Sequence, residues 1–285
     1  MKLERRFSQH RRKSCGIHYL SSNVFIPRFF TFRRPFLSHE RSTQRSSSLV
    51  TGGASGIGFA ISRKLGEIGF KVAIGDLKNY EASAQELRNS GLEVVGLPLD
   101  VTDWDSCGRF VQNAMSHLGT DHVDVLVNNA GVIRDNLLIK MTREDWDIVI
   151  KVHLYGAFNM TKHVVDSMIS KQHGRIINMS SLSWTGNVGQ ANYASAKAGL
   201  IGFTKTLSKE LGRYNVTVNA ISPGFIDTPM TRTVPEKVRE KFMDRLSIRR
   251  IGQPEDVANL VAFLATDQAS YITGEVIGVT GGLTF

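Results

Sequence analysis

A tyrosine and a lysine stand four residues apart in Tyr193-Ala194-Ser195-Ala196-Lys197. On a helix, positions i and i+4 share one face, so the ammonium lies close to the phenol. A nearby cation favours the phenolate. Such a tyrosine can act as general acid or base nearer neutral pH than its ordinary value of about 10 allows. The spacing alone is common by chance and gains meaning only from its neighbours. Ser180 and Ser181 end an apolar run 13 and 12 residues upstream. A serine there can hydrogen-bond a carbonyl oxygen and polarise it. For either serine alone, a strand-end loop residue without chemistry is an equal alternative.

A second constellation reads as a nucleotide site. Thr51-Gly52-Gly53-Ala54-Ser55-Gly56-Ile57-Gly58 follows one apolar run and opens a helical pattern. Gly52, Gly56 and Gly58 permit a tight turn and close approach of a pyrophosphate. Ser55 and Ile57 then sit at a helix N-terminus, with free N–H groups and the positive dipole end. Asp76 ends the next apolar run, 24 residues after Gly52. A carboxylate there accepts from both ribose hydroxyls of an adenosine and repels a 2′-phosphate, which favours NAD over NADP. Asp100 and Val101 suit adenine contact, and Asp100 alternatively caps the following helix. Asn129, Ala130 and Gly131 let the backbone pack under a cofactor, with a plain turn as the bland reading. In Pro223-Gly224-Phe225-Ile226-Asp227-Thr228, the backbone and the Thr228 hydroxyl are candidates for a nicotinamide carboxamide.

These residues need a scaffold, and the apolar pattern supplies one. Strand candidates are 48–51, 71–75, 93–99, 123–128, 175–180, 217–222 and 275–279, with helical patterns between them. Ile57, Ile61, Leu65 and Ile68 make one apolar stripe of that kind. Alternating strands and helices imply parallel strands with right-handed crossovers. The expected class is α/β: one doubly wound Rossmann domain, a seven-stranded parallel sheet with helices on both faces. Its ligand site lies beyond the carboxyl ends of the strands. The first strand is weak, because Ser46-Ser47-Ser48 stands where a central strand is normally apolar. Residues 228–250 form a charged, helix-capable segment that reads as a lid or a plain surface helix.

Charge divides the chain in two. It carries 35 Lys+Arg and 26 Asp+Glu, a formal net charge of +9. Residues 1–48 hold 11 basic and two acidic residues, so 24 of each remain in 49–285. The basicity belongs to a segment. Residues 1–48 read as a mitochondrial transit peptide directed to the matrix, or as an extension without a fold; the alternative location is cytoplasmic. The neutral domain 49–285 gives no reason to expect a nucleic-acid partner. No uncharged run is long enough for a membrane span. The only two cysteines exclude a disulfide framework, and no metal-ligand spacing occurs.

In this order and spacing the motifs resemble the short-chain dehydrogenase/reductase family over residues 49–285. The stretches 186–193, 222–230 and 271–274, with Asp76 and Thr280-Gly281-Gly282-Leu283, resemble its 3-oxoacyl-acyl-carrier-protein reductase / 17β-hydroxysteroid dehydrogenase type 8 branch. The resemblance implies Tyr193 as proton donor and acceptor, Lys197 holding the ribose and lowering the phenol's pKa, and a serine orienting the carbonyl. It implies a homo- or hetero-tetramer built partly from the C-terminal strand. The expected activity is NAD(H)-dependent interconversion of 3-hydroxyacyl and 3-oxoacyl thioesters. A steroid 17-alcohol is the alternative substrate, and a weakly active NAD-binding partner subunit the alternative role. An acyl carrier protein is a candidate partner, with Lys171, Lys205, Lys209 and Arg213 as its basic rim. Two departures stand out. Counting back from Tyr193 selects Ser180, whereas counting forward from Gly174-Arg175-Ile176-Ile177 selects Ser181. Loops absorb deletions more easily than strands, so Ser181 is chosen. His153 stands where members of the family often carry Asn, and it is a candidate for the proton relay or a structural residue.

Overall fold

The computed structural model describes residues 46–233 and 236–283. Expectations for residues 1–45 lie outside the described residues. Seven strands run β1 Ser47–Thr51, β2 Lys71–Asp76, β3 Val94–Pro98, β4 Val125–Asn128, β5 Gly174–Met179, β6 Val216–Pro223 and β7 Val276–Val279. All neighbours are parallel, in the order β3-β2-β1-β4-β5-β6-β7. The order reverses between β1 and β4, which opens the crevice where such sheets bind ligands. The connecting helices are α1 Gly56–Glu67, α2 Tyr80–Asn89, α3 Trp104–Leu118, α4 Arg143–Ile150, α5 Gly156–Lys171, α6 Ala191–Leu211, α7 Glu236–Met243 and α8 Pro254–Leu264.

Alternation along the central strands builds two cores. Val50, Val72 and Ile74 face one, with Ile61 and Leu65 of α1 and Val257 and Val261 of α8. Leu49 and Ala73 face the other, with Phe110 of α3 and Met160 and Val164 of α5. Successive side chains point to opposite faces, so a strand buried on both must be apolar throughout or must satisfy its polar groups. β1 takes the second course. Ser47 and Ser48 are buried. The Ser47 N–H donates to Asp124 Oδ2 at 2.7 Å, and its hydroxyl to the His122 carbonyl at 2.9 Å. The Ser48 hydroxyl donates to the Lys71 carbonyl at 3.3 Å. A buried polar group so paired is tolerated in a core. The strand therefore starts at Ser47, two residues before the boundary read from charge.

One cap differs from expectation. Asp103, not Asp100, caps α3, accepting from the N–H groups of Asp105 and Ser106. Asp100 instead folds its own loop, its Oδ1 accepting from the Thr102 N–H at 2.9 Å and hydroxyl at 2.7 Å.

Candidate active site

The loops after β1 and β4 are pressed together. Gly52 has φ +62°, and a Cβ there would lie 2.8 Å from Ala130 Cα. The Thr51 hydroxyl accepts the N–H groups of Asn129 and Ala130, both at 3.0 Å. Asn129 Nδ2 donates to the carbonyls of Thr51 and Gly52, both at 3.0 Å. Asn129 thus ties two strand ends, and Thr51 shares that task without having been singled out from sequence. At Gly58 a Cβ would strike the Gly52 carbonyl, so α1 can start this close only with glycine. Ser55 is the N-cap residue of α1, yet its hydroxyl makes no cap bond.

Asp76 reaches the same loop from β2. Its Oδ2 accepts the Ala54 N–H at 3.2 Å and its Oδ1 the Leu77 N–H at 2.8 Å. Val101 is buried, and its carbonyl accepts Asn159 Nδ2 at 3.0 Å. The segment after β6 closes over the glycines. Thr228 Cβ lies 3.6 Å from where a Gly56 Cβ would stand. Ile226 and Thr228 are buried, the Gly224 N–H donates to the Val279 carbonyl at 3.0 Å, and Pro223 ends β6. The Thr228 and Thr231 hydroxyls are 3.1 Å apart. Arg232 grips Asp227 with two bonds of 2.9 and 3.1 Å, and Phe242 of α7 stacks on Phe225 at 4.9 Å. The expected lid is therefore tethered to the strand-end segment at both points.

Tyr193 lies in the first turn of α6. The buried Asn192 beside it donates to the carbonyls of Arg134 and Asp145 at 2.9 and 3.0 Å, and accepts the Tyr193 N–H at 2.7 Å. Gln190 donates to Asp135 at 2.8 Å. The Asn136 N–H donates to the Gly189 carbonyl at 2.8 Å. These bonds zip the 134–136 loop to the start of α6. Sequence reading passed over Asn192, although a polar residue one before the tyrosine was a visible signal.

The two serines separate cleanly. Ser181 lies beside the Tyr193 phenol and opposes the rise of its pKa, and its Oγ accepts the Ser183 N–H at 3.2 Å. Ser180 is buried, and its hydroxyl donates to the Lys197 carbonyl at 3.0 Å. Lys197 is buried too; its Nζ donates to the Met179 carbonyl at 2.6 Å and stands 5.3 Å from the Tyr193 ring centroid. The electrostatics differ from the sequence-based expectation. Burial pushes the Tyr193 phenol up to about 12, opposed by the Ser181 hydrogen bond. Burial pushes Lys197 down to about 7. Desolvation outweighs the expected lysine effect because the ammonium is bonded to a backbone carbonyl, not to the phenol.

His153 lies in a π-helical turn, Lys151–Tyr155, between α4 and α5. It is 3% exposed, and its ring stands perpendicular to that of Tyr193 with centroids 5.1 Å apart. Burial, then the charge of Lys197, holds its pKa well below the ordinary histidine range.

The proposed basic rim is misplaced. Lys205, Lys209 and Arg213 lie along and beyond the C-terminal half of α6, and Lys171 ends α5 just before β5. Tyr193 is at the opposite end of α6, and the 16 residues to Lys209 span about 24 Å of helix at ~1.5 Å per residue. Lys171 is paired with Asp121 at 3.2 Å.

Residues 52–284 match the family model described as enoyl-(acyl carrier protein) reductase. A Thermotoga maritima protein named 3-oxoacyl-[acyl-carrier-protein] reductase FabG is 48% identical over 238 residues, covering 82% of this chain and 96% of the relative. Its namesake from Aquifex aeolicus is 44% identical over 248 residues, covering 86% and 99%. That from Staphylococcus epidermidis is 42% identical over 241 residues, covering 83% and 98%. The chain belongs to the short-chain dehydrogenase/reductase family. It is thus an oxidoreductase that works with a nicotinamide nucleotide. The residues present fit such a group. Gly52 and Gly58 let the loop and the start of α1 pack backbone to backbone, Ser55 makes no cap bond with its hydroxyl at a helix N-terminus, and Asp76 ends β2 beside the glycine loop. This family member also holds its own hydroxyl pair, Ser181 and Tyr193, at the carboxyl end of the sheet.

Proposed function

We propose that this protein interconverts 3-oxoacyl and 3-hydroxyacyl thioesters with NAD(H). The pairing of the Ser181 and Tyr193 hydroxyls at the carboxyl end of the sheet carries this reading, because one can polarise a carbonyl oxygen while the other protonates it. The names of the bacterial relatives support the acyl thioester, with an acyl carrier protein as its carrier. The backbone of Gly52–Gly58, Asp76, Asp100, Val101, Asn129–Gly131 and Pro223–Thr228 would hold the dinucleotide. When bound, it supplies the hydride and, once oxidised, a positive charge. Ser181 polarises the carbonyl, and Tyr193 delivers its proton to the oxygen as the carbon is reduced. Lys197, behind the ring, stabilises the phenolate left behind. In the reverse direction Tyr193 takes the alcohol proton.

The test is oxidation of NADH, followed by absorbance, with a 3-oxoacyl thioester. A steroid 17-ketone and an enoyl thioester are compared by kcat/KM. Tyr193→Phe lowers turnover by about a thousandfold, within the range for losing a general acid. Normal turnover in that variant, or nucleotide binding with no turnover on any of the three, overturns the reading.

The preference for NAD(H) over NADP(H) rests on Asp76. Its carboxylate meets the Ala54 N–H of the glycine loop, where a 2′-phosphate would bring like charge. Asp76→Ala lowers the NADH/NADPH ratio of kcat/KM by about tenfold or more, since each ~1.4 kcal/mol of relieved repulsion is one factor of ten. An unchanged ratio removes Asp76 as the determinant. The charge of residues 1–48, outside the 52–284 family match, supports a mitochondrial address.

A further inference from the structure

The proton-transfer steps above leave one buried titratable group unused. His153 sits in the π-helical turn Lys151–Tyr155, a local widening that re-aims side chains and is frequent at functional sites. Its Nε2 lies 2.8 Å from the Val132 carbonyl, and Nδ1 is buried without a hydrogen-bond partner. The Val132 N–H also points at Nε2, at the longer distance of 3.2 Å; with the proton on Nε2 donated to the nearer carbonyl, Nδ1 keeps a lone pair and the ring is neutral. Lys197 and Tyr193 face it from α6, and the loop after β4 brings the backbone of Gly131 and Val132 against it.

Gly131 makes the room. A Cβ built there would lie 2.5 Å from His153 Cε1, closer than any real contact. Gly131 is not among the glycines with positive φ, so its backbone would accept any residue. The imidazole, not the turn, excludes a side chain at 131. The ring cannot yield cheaply, because it is buried and bonded to Val132.

We propose that Gly131 and His153 form one positioning unit, in which the imidazole occupies the space of the missing side chain and holds the Tyr193 ring edge-on. His153 acts through Tyr193 and Lys197 and touches neither substrate nor hydride. A proton on it would set a second positive charge beside Lys197. The inference rests on reading Tyr193 as the acid/base group.

Gly131→Ala, His153→Asn and the double variant are compared for kcat, KM and nucleotide Kd, with thermal melting as the check of folding. Gly131→Ala lowers kcat about tenfold or more in the parent. In the His153→Asn background the same change costs under about threefold, a coupling expected of residues in contact. The parent's kcat/KM also falls toward acid pH through an ionisation that His153→Asn removes. Equal losses from Gly131→Ala in both backgrounds, or identical pH profiles, overturn the proposal. If Gly131→Ala does not fold, nitrogen-15 spectra of the imidazoles decide. One neutral ring protonated on Nε2 disappears in His153→Asn and shifts when NADH binds; a resonance indifferent to NADH overturns it. Tyr193→Phe separates the two readings. An inactive Tyr193→Phe with an uncoupled 131/153 pair sinks only this inference, whereas an active Tyr193→Phe sinks the acid/base reading itself.

Discussion

Ser180 and Ser181 show how one residue of register decides chemistry. Adjacent residues at a strand end point to opposite sides. Ser180 turns inward and bonds the Lys197 carbonyl, while Ser181 meets the phenol. Ser181→Ala therefore lowers kcat by about a hundredfold or more, the usual loss of a carbonyl-polarising donor, with nucleotide Kd unchanged. Ser180→Ala lowers stability by about 1 kcal/mol, the worth of one net hydrogen bond, and leaves most of kcat. Equal kcat losses in the two variants would contradict this division. Sequence counting selected each serine in turn, because a loop 182–190 one residue short shifts one count and not the other, and the choice of Ser181 rested on loops absorbing deletions. It also misjudged the phenol, since a YxxxK spacing reports proximity and says nothing of the water removed from both groups. The same burial pushes the Lys197 ammonium down, to about 7.

At the scale of elements, hydrophobic alternation carries its information locally, and the strands were legible for that reason. β1 was the exception because its support is distant. Ser47 is held by Asp124, 77 residues away, and Asp124 by His122, whose two ring nitrogens lie 2.8 and 3.1 Å from Asp121 and Asp124. No window along the sequence joins these groups. Asp124 receives the Ser47 N–H inside the sheet, and shares the Ser47 hydroxyl with the His122 carbonyl. Asp124→Asn turns one acceptor oxygen into a donor facing donors, and lowers stability by about 1–3 kcal/mol, the penalty for an unsatisfied buried group. Chemical denaturation measures it; an unchanged midpoint with unchanged slope would show that the staple does not support β1. The π-helical turn at Lys151–Tyr155 was equally illegible, because it continues a helical pattern and differs only by an extra residue in the turn.

On the scale of the whole molecule, the division by charge and the division by structure differ by a few residues, and the difference has consequences. Charge places the break after residue 48, yet the sheet recruits the residues just before it. The Ser46 carbonyl accepts the Lys71 N–H at 2.9 Å, the Ser47 N–H and hydroxyl are bound, and the Ser48 hydroxyl reaches the Lys71 carbonyl. A chain beginning at residue 49 loses all four bonds and the buried start of a central strand. At about 1 kcal/mol for each net hydrogen bond, that removes ~4 kcal/mol, much of an ordinary domain's stability. A chain beginning at residue 46 keeps them all. The first melts at least about 8 °C below the second, given ~2–4 °C per kcal/mol for a domain of this size, or does not fold. Any removal of the basic segment in the cell would have to respect the same limit, so a mature N-terminus, read by mass spectrometry of the native protein, is expected at or before Ser46. A mature protein beginning at residue 49 or later, or equal melting of the two shortened chains, would show that the neutral domain stands without the serines.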